Sequence, residues 1–318
     1  MSETKEKILL CFPVAPAILE AAKVRFPQFL WKEADGDTEA FEIADAAIVF
    51  GKPRDRSLEA AARLKWLQAP SAGVERLATS DVFQKGSFVL TTAAGMHESC
   101  AQHALALLLG FSRRVALHAR RQDALHWKTR DEVPMPAVLT GALGVLGLGS
   151  IGRRVCELGR ALGMRTLGVS YHGTPVPEAD EVHPIAALDG LLPRFDALIM
   201  ILPATPETDG LLNAARLALL PRHCIVVNVG RGNAIDEPAL IESLRSGGIA
   251  GAALDVFQDE PLPDNSPFYA LPNVILTPHI GGNRPDYDEC AFEVFLDNLE
   301  RYAAGKPLRN VVDRKRGY

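Results

Sequence analysis

Residues Thr140–Gly152 read TGALGVLGLGSIG. An apolar stretch, Ala142–Gly147, leads into the pattern G-x-G-x-x-G at positions 147–152, and apolar residues at helical spacing follow it. In this strand–turn–helix context the first glycine permits a tight turn, the second lets the backbone approach a pyrophosphate, and the third lets helix and strand pack closely. The free N–H groups at the start of the helix would face the phosphates. We therefore predict a dinucleotide site with contacts from Gly147, Gly149, Ser150, Ile151 and Gly152.

The end of the next predicted strand bears on which dinucleotide is bound. An acid about 20 residues beyond the glycine pattern would hold the adenosine ribose and repel a 2′-phosphate. The strand Arg165–Ser170 instead ends in the sequence SYH, and the nearest acid, Glu178, follows two prolines and is expected to lie too far along the chain. Hydroxyl and imidazole groups can donate hydrogen bonds to a phosphate, although no arginine stands beside them in the sequence. We expect NADP(H), with NAD(H) as the open alternative, and assign to this site Ser170, Tyr171 and His172.

Short apolar runs alternate with helical patterns, which predicts parallel sheets with crossover helices. Candidate strands in the first third are Ile8–Phe12, Ala46–Phe50, Trp66–Gln68 and Phe88–Thr91. Those in the middle are Ala142–Gly147, Arg165–Ser170, Asp196–Leu202, Cys224–Val229, Ala250–Asp255 and Val274–Thr277. Six strands suit a doubly wound dinucleotide-binding sheet. The expected fold class is α/β, with two Rossmann-like domains built on doubly wound parallel sheets.

Two long helices, expected from about His97 to His126 and from about Asp286 to Ala304, bracket the middle block. The short tail after the second helix cannot form a domain and is expected to pack on the first one. We therefore predict a discontinuous, flavodoxin-like substrate domain, residues 1–97 and 285–318, with a dinucleotide-binding domain, residues 98–284, inserted into it. The cleft between two domains is the expected place for a site.

The composition excludes several classes of protein. Of 318 residues, 47% are hydrophobic and 23% are charged, which fits a globular protein rather than a disordered chain or a fibre. The net charge of −5 disfavours a nucleic-acid-binding protein. No apolar run approaches the length of a membrane span. The apolar segment Ile8–Leu19 lacks a positive flank and contains two prolines, so we interpret it as the first strand rather than an export signal.

The five cysteines are scattered, and none forms a CxxC pair. This pattern disfavours both a disulfide framework and a structural zinc site, so no metal is expected. Reduced thiols are typical of a cytoplasmic protein.

Three further segments place titratable residues near the carboxyl ends of predicted strands. They are NVGRG at 228–232, ALDVF at 253–257 with Glu260-Pro261 after it, and TPHIGG at 277–282. Ligands of open α/β sheets bind at this edge of the sheet. Taken singly, each segment also fits a turn, a solvated cap or a structural histidine.

These segments, the glycine pattern, PATPET at 203–208 and SAGV at 71–74 fall in the order found in the D-isomer-specific 2-hydroxyacid dehydrogenase family. The chain resembles that family over essentially its whole length, and most closely its short glyoxylate/hydroxypyruvate-reductase-like members. The resemblance implies an NAD(P)-dependent enzyme that reduces small 2-keto acids to D-2-hydroxy acids. It also implies a homodimer.

The resemblance implies a role for each catalytic residue. Arg231 would bind the carboxylate and carbonyl of the substrate, a planar task that suits a guanidinium. His279 would protonate the carbonyl oxygen, because imidazole exchanges protons near neutrality. Glu260 would hydrogen-bond His279 and favour its charged form.

The remaining site residues also follow from the resemblance. Asp255 would hold the nicotinamide carboxamide, and Pro203 and Thr208 would line the adenine side. Further cofactor contacts are expected from Val229, Gly230 and Gly281. The substrate carboxylate would meet the backbone N–H groups of Ala72, Gly73 and Val74.

Several residues differ from the family pattern, and for others the sequence leaves two or more roles open. Gln102 stands where the family often has Glu, and Ser170 where it often has Asp. Lys52 lies where the family's substrate-facing loop runs and would attract a second anionic group, or it is an exposed lysine in a turn. Trp127 caps the cleft or packs in the core, and His103 is expected to form an interdomain hydrogen bond. Cations on and just after the first long helix form an anion-binding stripe, a solvated helix face or a subunit contact: Arg113, Arg114, Arg120, Arg121, Lys128 and Arg130.

Two other functions remain open at this point. One is a non-enzymatic dinucleotide sensor of the corepressor type, which the three intact catalytic residues disfavour. The other is a formate or phosphite dehydrogenase, whose substrates lack a 2-keto group and need a pocket lined by different residues.

Overall fold

The computed structural model describes residues 5–34, 38–96, 98–123 and 140–318. The chain divides into two compact units, the first comprising Met1–Met96 with Arg284–Tyr318 and the second His97–Asn283. These limits differ by one residue at each crossing from the domain limits expected from the sequence. In the described part of the chain, no helix has the length and apolar character needed to cross a membrane.

The first unit is built on a five-stranded parallel sheet of order β2-β1-β3-β4-β5. This is the flavodoxin-like order. Its strands are β1 (Lys7–Cys11), β2 (Leu30–Glu33), β3 (Ile48–Gly51), β4 (Trp66–Gln68) and β5 (Val89–Thr91). Its helices are α1 (Pro16–Arg25), α2 (Glu39–Glu42), α3 (Asp55–Glu59), α4 (Glu75–Ala78), α5 (Asp81–Lys85) and α12 (Tyr287–Ala303). Four of the strands were expected, whereas the edge strand β2 carries mostly exposed residues and therefore has no apolar run.

The C-terminal helix and tail complete this first unit, as the sequence predicts. Phe295 of α12 stacks on Trp66 with ring centroids 5.2 Å apart and also contacts Phe50. After α12, the Thr92 N–H donates to the Asn310 carbonyl at 3.0 Å. The tail thus lies along β5, and the first sheet depends on residues that are distant in sequence.

The second unit contains a seven-stranded parallel sheet of order β12-β11-β10-β9-β6-β7-β8. Its strands are β6 (Ala142–Leu146), β7 (Arg165–Ser170), β8 (Glu181–Pro184), β9 (Ala197–Met200), β10 (Ile225–Asn228), β11 (Gly251–Leu254) and β12 (Val274–Leu276). Its helices are α6 (Glu98–Ser112), α7 (Val115–Asp123), α8 (Ser150–Ala161), α9 (Leu188–Leu191), α10 (Ala214–Leu217) and α11 (Glu237–Ser246). The strand order reverses between β6 and β9, so the sheet is doubly wound, which confirms the predicted fold class. The half-exposed edge strand β8 was missed for the same reason as β2.

The prediction of one long helix from His97 to His126 is wrong. Helix α6 ends at Ser112, and Arg114 has a left-handed backbone with φ 58° before α7 begins at Val115. No glycine or proline marks this break, so the sequence pattern gave no sign of it. The expectations for Trp127, Lys128 and Arg130 lie outside the described residues.

Candidate active site

The glycine turn, Gly147–Gly152, connects β6 to α8 and has the geometry that a dinucleotide needs. Gly147 has φ +99°, and a Cβ added to Gly152 would lie 1.8 Å from the Gly147 carbonyl oxygen. No atom lies within 4 Å of the place where a Cβ on Gly149 would be. Helix α8 begins at Ser150 with no side-chain cap. The first N–H groups of α8 and the open space at Gly149 therefore fit a pyrophosphate.

The carboxyl end of β7 itself carries no acid. Glu178 corrects an expectation, because it does not lie too far along the chain but lines a groove beside the glycine turn. The Ser170 hydroxyl accepts a hydrogen bond from the Gly173 N–H at 3.2 Å. Tyr171 and His172 are exposed and stack edge to face. Asp180 binds the Thr166 N–H at 2.8 Å, and Glu181 pairs with Arg165 at 2.6 Å, so both acids have partners of their own.

The loop after β9 is folded on itself. The Thr208 hydroxyl donates to the Pro203 carbonyl at 2.6 Å and accepts from the Thr205 N–H at 2.9 Å. Because β9 is the neighbour of β6 at the point where the strand order reverses, Pro203 and Thr208 follow a strand that adjoins the glycine turn.

The carboxyl ends of β10, β11 and β12 lie side by side and carry the three segments singled out in the sequence. Asn228 ends β10 and is buried. Its side chain accepts from the Gly230 N–H at 3.1 Å and donates to the Arg231 carbonyl at 2.9 Å. The Arg231 guanidinium in turn donates to the Gly230 carbonyl at 2.8 Å. The loop that carries Arg231 is thus fixed by a buried amide.

Glu260 and His279 form a hydrogen-bonded pair. The Glu260 Oε2 atom lies 2.6 Å from His279 Nδ1, and its Oε1 atom accepts from the Phe257 N–H at 2.9 Å. The His279 side chain is 49% exposed. With Nδ1 bound to the carboxylate, the Nε2 atom is left to exchange a proton with a ligand.

His279 lies in the β12 loop, Thr277–Gly281, and has a left-handed backbone with φ 53°. A non-glycine residue in this conformation is strained and persists only where its surroundings hold it. The main-chain N–H of His279 donates to the Asp255 carbonyl at 2.8 Å. Strain of this kind concentrates at functional sites, which agrees with the exposed imidazole.

Asp255 anchors the β12 loop, a role that the sequence did not reveal. Its Oδ1 atom accepts from the Thr277 hydroxyl at 2.6 Å and the Ile280 N–H at 3.0 Å, and its Oδ2 atom accepts from the Gly281 N–H at 2.8 Å. Burial raises the pKa of Asp255, but hydrogen bonds from His103, Thr277 and the loop N–H groups outweigh it and lower the pKa to about 2. The carboxylate is therefore ionised and engaged within the chain, and its contact with the nicotinamide carboxamide stays a prediction.

His103 corrects a prediction. Its Nε2 atom lies 3.0 Å from the Thr277 hydroxyl and 3.3 Å from the Asp255 carboxylate. All three residues belong to the second unit, so the expected interdomain hydrogen bond is wrong. His103 instead supports the anchor of the β12 loop from helix α6.

The predicted substrate-side residues lie in the first unit, where β3 and β4 are neighbours and their carboxyl ends share one sheet edge. Within the described residues, the N–H groups of Ala72, Gly73 and Val74 have no hydrogen-bond acceptor. Lys52 is exposed, and its ammonium group has no partner there either. Unpaired backbone donors suit an anion, and Lys52 adds a positive charge after the neighbouring strand.

Comparisons with known proteins place the site in context. The family model of the D-isomer specific 2-hydroxyacid dehydrogenase NAD-binding domain matches residues 105–281. The chain is 35% identical to a glyoxylate reductase of Aeropyrum pernix, covering 81% of this chain and 79% of that protein. It is 34% identical to a glyoxylate/hydroxypyruvate reductase B of Pectobacterium carotovorum, covering 87% and 88%. Among solved structures, an NADPH-dependent glyoxylate/hydroxypyruvate reductase of Sinorhizobium meliloti with NADP and sulfate bound has a TM-score of 0.84 at 27% identity, covering 99% and 100%.

Proposed function

Because the chain belongs to the D-isomer-specific 2-hydroxyacid dehydrogenase family, we propose that it reduces glyoxylate, hydroxypyruvate or a similarly small 2-keto acid. The enzyme is an NAD(P)-dependent 2-keto acid reductase, and the product is the D-2-hydroxy acid where the new centre is chiral. The observation that carries the proposal is the 2.6 Å contact between Glu260 and His279. These residues follow β11 and β12, and β11 lies between β12 and the strand β10 that precedes Arg231.

Arg231 would bind and polarise the keto acid. A guanidinium offers parallel N–H groups that match a carboxylate and an adjacent carbonyl oxygen. The braced loop of Asn228 and Gly230 fixes the start of the side chain, so less conformational freedom is lost when the substrate binds. Polarisation of the carbonyl makes its carbon more electrophilic.

His279 would donate the proton. A reduced nicotinamide held at the glycine turn would supply the hydride for the keto carbon. The His279 Nε2–H bond breaks, and the proton passes to the carbonyl oxygen, which becomes the hydroxyl group. Glu260 holds the ring through Nδ1, so that Nε2 is the atom that would meet the substrate. The imidazole then regains a proton from solvent, and the same steps run backwards in oxidation.

Substrate-binding roles are also assigned to residues of the first unit, from the family resemblance. The unpaired N–H groups of Ala72, Gly73 and Val74 suit the substrate carboxylate. Lys52 would favour substrates with a second anionic group. The nicotinamide carboxamide is assigned to Asp255, and further cofactor contacts to Val229, Gly230 and Gly281. A homodimer is proposed from the family resemblance alone.

The test is an assay of reduced-nicotinamide absorbance with NADH and NADPH against glyoxylate, hydroxypyruvate, pyruvate and phenylpyruvate. We expect oxidation of at least one cofactor with glyoxylate or hydroxypyruvate, and chiral analysis should give the D-isomer from hydroxypyruvate. Dinucleotide binding without turnover of any keto acid would contradict the proposal and favour a sensor. Reduction of NAD(P)⁺ by formate or phosphite in place of keto acid turnover would also contradict it.

A further inference from the structure

A groove of about 490 Å³ opens beside the glycine turn. It lies between the start of α8 and the segment that follows β7. Its lining residues are Leu148, Gly149, Ser150, Arg153, Arg154, Glu157 and Glu178. The groove therefore adjoins the turn on the side of β7, where the adenosine ribose of a dinucleotide lies in this fold.

Two consecutive arginines of α8, both lining this groove, differ in their hydrogen bonds. Arg154 forms two ion pairs, because its Nε atom donates to Glu98 at 2.9 Å and its Nη1 atom to Glu157 at 2.8 Å. Arg153 makes one hydrogen bond among the described residues, from Nε to the Leu148 carbonyl at 3.2 Å. Both Nη atoms of Arg153 thus remain available for a ligand.

The hydrogen bond to Leu148 fixes the direction of the Arg153 side chain. The Leu148 side chain packs against Gly168 of β7, because a Cβ added to Gly168 would lie 2.6 Å from the Cδ1 atom of Leu148. Arg153 thus borders the groove at the glycine turn, opposite Glu178 from the segment that follows β7. The strand ends in Ser170, whose hydroxyl accepts from the Gly173 N–H and keeps its own hydrogen free to donate.

We propose that Arg153 binds the 2′-phosphate of NADP(H), with Ser170 as a second donor, and that Arg153 sets a preference for NADP(H) over NAD(H). A guanidinium is the side chain best suited to a phosphate, because two of its N–H groups can bind it at once. Arg153 comes from the helix rather than from the strand end, which is why the sequence around Ser170 showed no arginine. The inference rests on the proposed use of a dinucleotide by this site.

Glu178 opposes the phosphate and gives the inference a second test. Its Oε2 atom is buried and has no hydrogen-bond partner within the described part of the chain. A carboxylate at the groove repels a 2′-phosphate but accepts hydrogen bonds from the ribose hydroxyls of NAD(H). Removal of its charge should therefore strengthen NADPH binding if Arg153 dominates the groove.

The test measures dissociation constants for NADPH and NADH by calorimetry, without any keto acid. Wild-type protein should bind NADPH at least about tenfold more tightly than NADH. Arg153→Gln should weaken NADPH binding roughly tenfold to a hundredfold while NADH changes less than about twofold. Arg154→Gln removes the same charge from the neighbouring position. It should change neither the NADPH nor the NADH dissociation constant by more than about threefold. Glu178→Gln should tighten NADPH binding a few-fold.

Equal affinity of the wild type for both cofactors would overturn the inference, as would an unchanged ratio in Arg153→Gln protein that keeps its wild-type melting temperature. A loss of NADH affinity in Glu178→Gln, with no effect of Arg153→Gln, would assign the ribose to Glu178 instead. Because the readout is binding, a protein that binds NADPH through Arg153 but reduces no keto acid would contradict the proposed function alone.

Discussion

The glycine turn and the β12 loop serve the same site in opposite ways. The turn works through the absence of side chains, since the space at Gly149 is open and a Cβ at Gly152 would collide with the Gly147 carbonyl. The β12 loop works through its side chains, which a buried carboxylate at Asp255 holds in a strained backbone. The first needs only neighbours in sequence, and the second needs partners from distant parts of the second unit. Substitutions in the turn should therefore weaken cofactor binding, whereas substitutions in the loop should lower the rate of catalysis.

The largest effect on cofactor binding is expected from Gly152→Ala. The added methyl group would lie 1.8 Å from a backbone oxygen, so the turn must shift. We expect NADPH binding to weaken roughly a hundredfold or more, with a fall in melting temperature. Calorimetry measures the NADPH dissociation constant, and thermal unfolding measures the melting temperature. Gly190→Ala, at a position with no atom within 4 Å of the new Cβ, is the matched control. Tight NADPH binding by Gly152→Ala would contradict the account of the turn.

A smaller effect is expected from Arg231→Lys, which keeps the positive charge and removes the two parallel N–H groups of the guanidinium. Loss of one charge-assisted hydrogen bond should lower kcat/KM for glyoxylate by roughly a hundredfold, whereas NADPH affinity should stay unchanged. Steady-state kinetics over a range of glyoxylate concentrations measures the change. Arg222→Lys, at an exposed position, controls for the substitution itself. A wild-type KM and kcat in Arg231→Lys would remove Arg231 from the substrate site.

The smallest effect is expected from Asp255→Asn, which loosens the β12 loop without touching its imidazole. An amide nitrogen cannot accept the hydrogen bonds that the carboxylate accepts, so at least one loop donor loses its partner, at a cost of about 1–3 kcal/mol. We expect kcat/KM to fall roughly tenfold and the melting temperature to fall by several degrees.

The pH dependence of this loss follows from the lowered pKa of Asp255. Because the folded-state pKa of about 2 lies below the ordinary 3.8, the carboxylate contributes stability above about pH 4 that is lost as the pH falls towards 2. The difference in melting temperature between wild type and Asp255→Asn should therefore be larger at pH 6 than at pH 3. Asp264→Asn, at an exposed position, should show no such pH dependence. An equal difference at both pH values would exclude Asp255 as the charged anchor.

The same contrast explains what the sequence could predict. The glycine turn was predicted because its defining contacts join residues five apart, and the parallel sheets were predicted because their central strands are buried on both faces. The edge strands β2 and β8 were missed because they lack an apolar run. Arg231, Glu260 and His279 were named from a family resemblance, which also implied the hydrogen bond that the structure shows between the last two. The contact from His103 was not predictable, since it joins α6 to residues more than 150 positions later. The anchoring role of Asp255 was not predictable either, because it depends on how the loop after β12 folds back onto the end of β11.

The central claim is that His279 donates the proton while the glycine turn holds the cofactor independently of it. The most direct measurement compares kcat and the NADPH dissociation constant of His279→Gln with those of wild type, with His223→Gln, an exposed histidine of the second unit, as the control. We expect kcat to fall by roughly 10²–10⁴ in His279→Gln, with the dissociation constant unchanged within about twofold. A kcat equal to that of the wild type would contradict it.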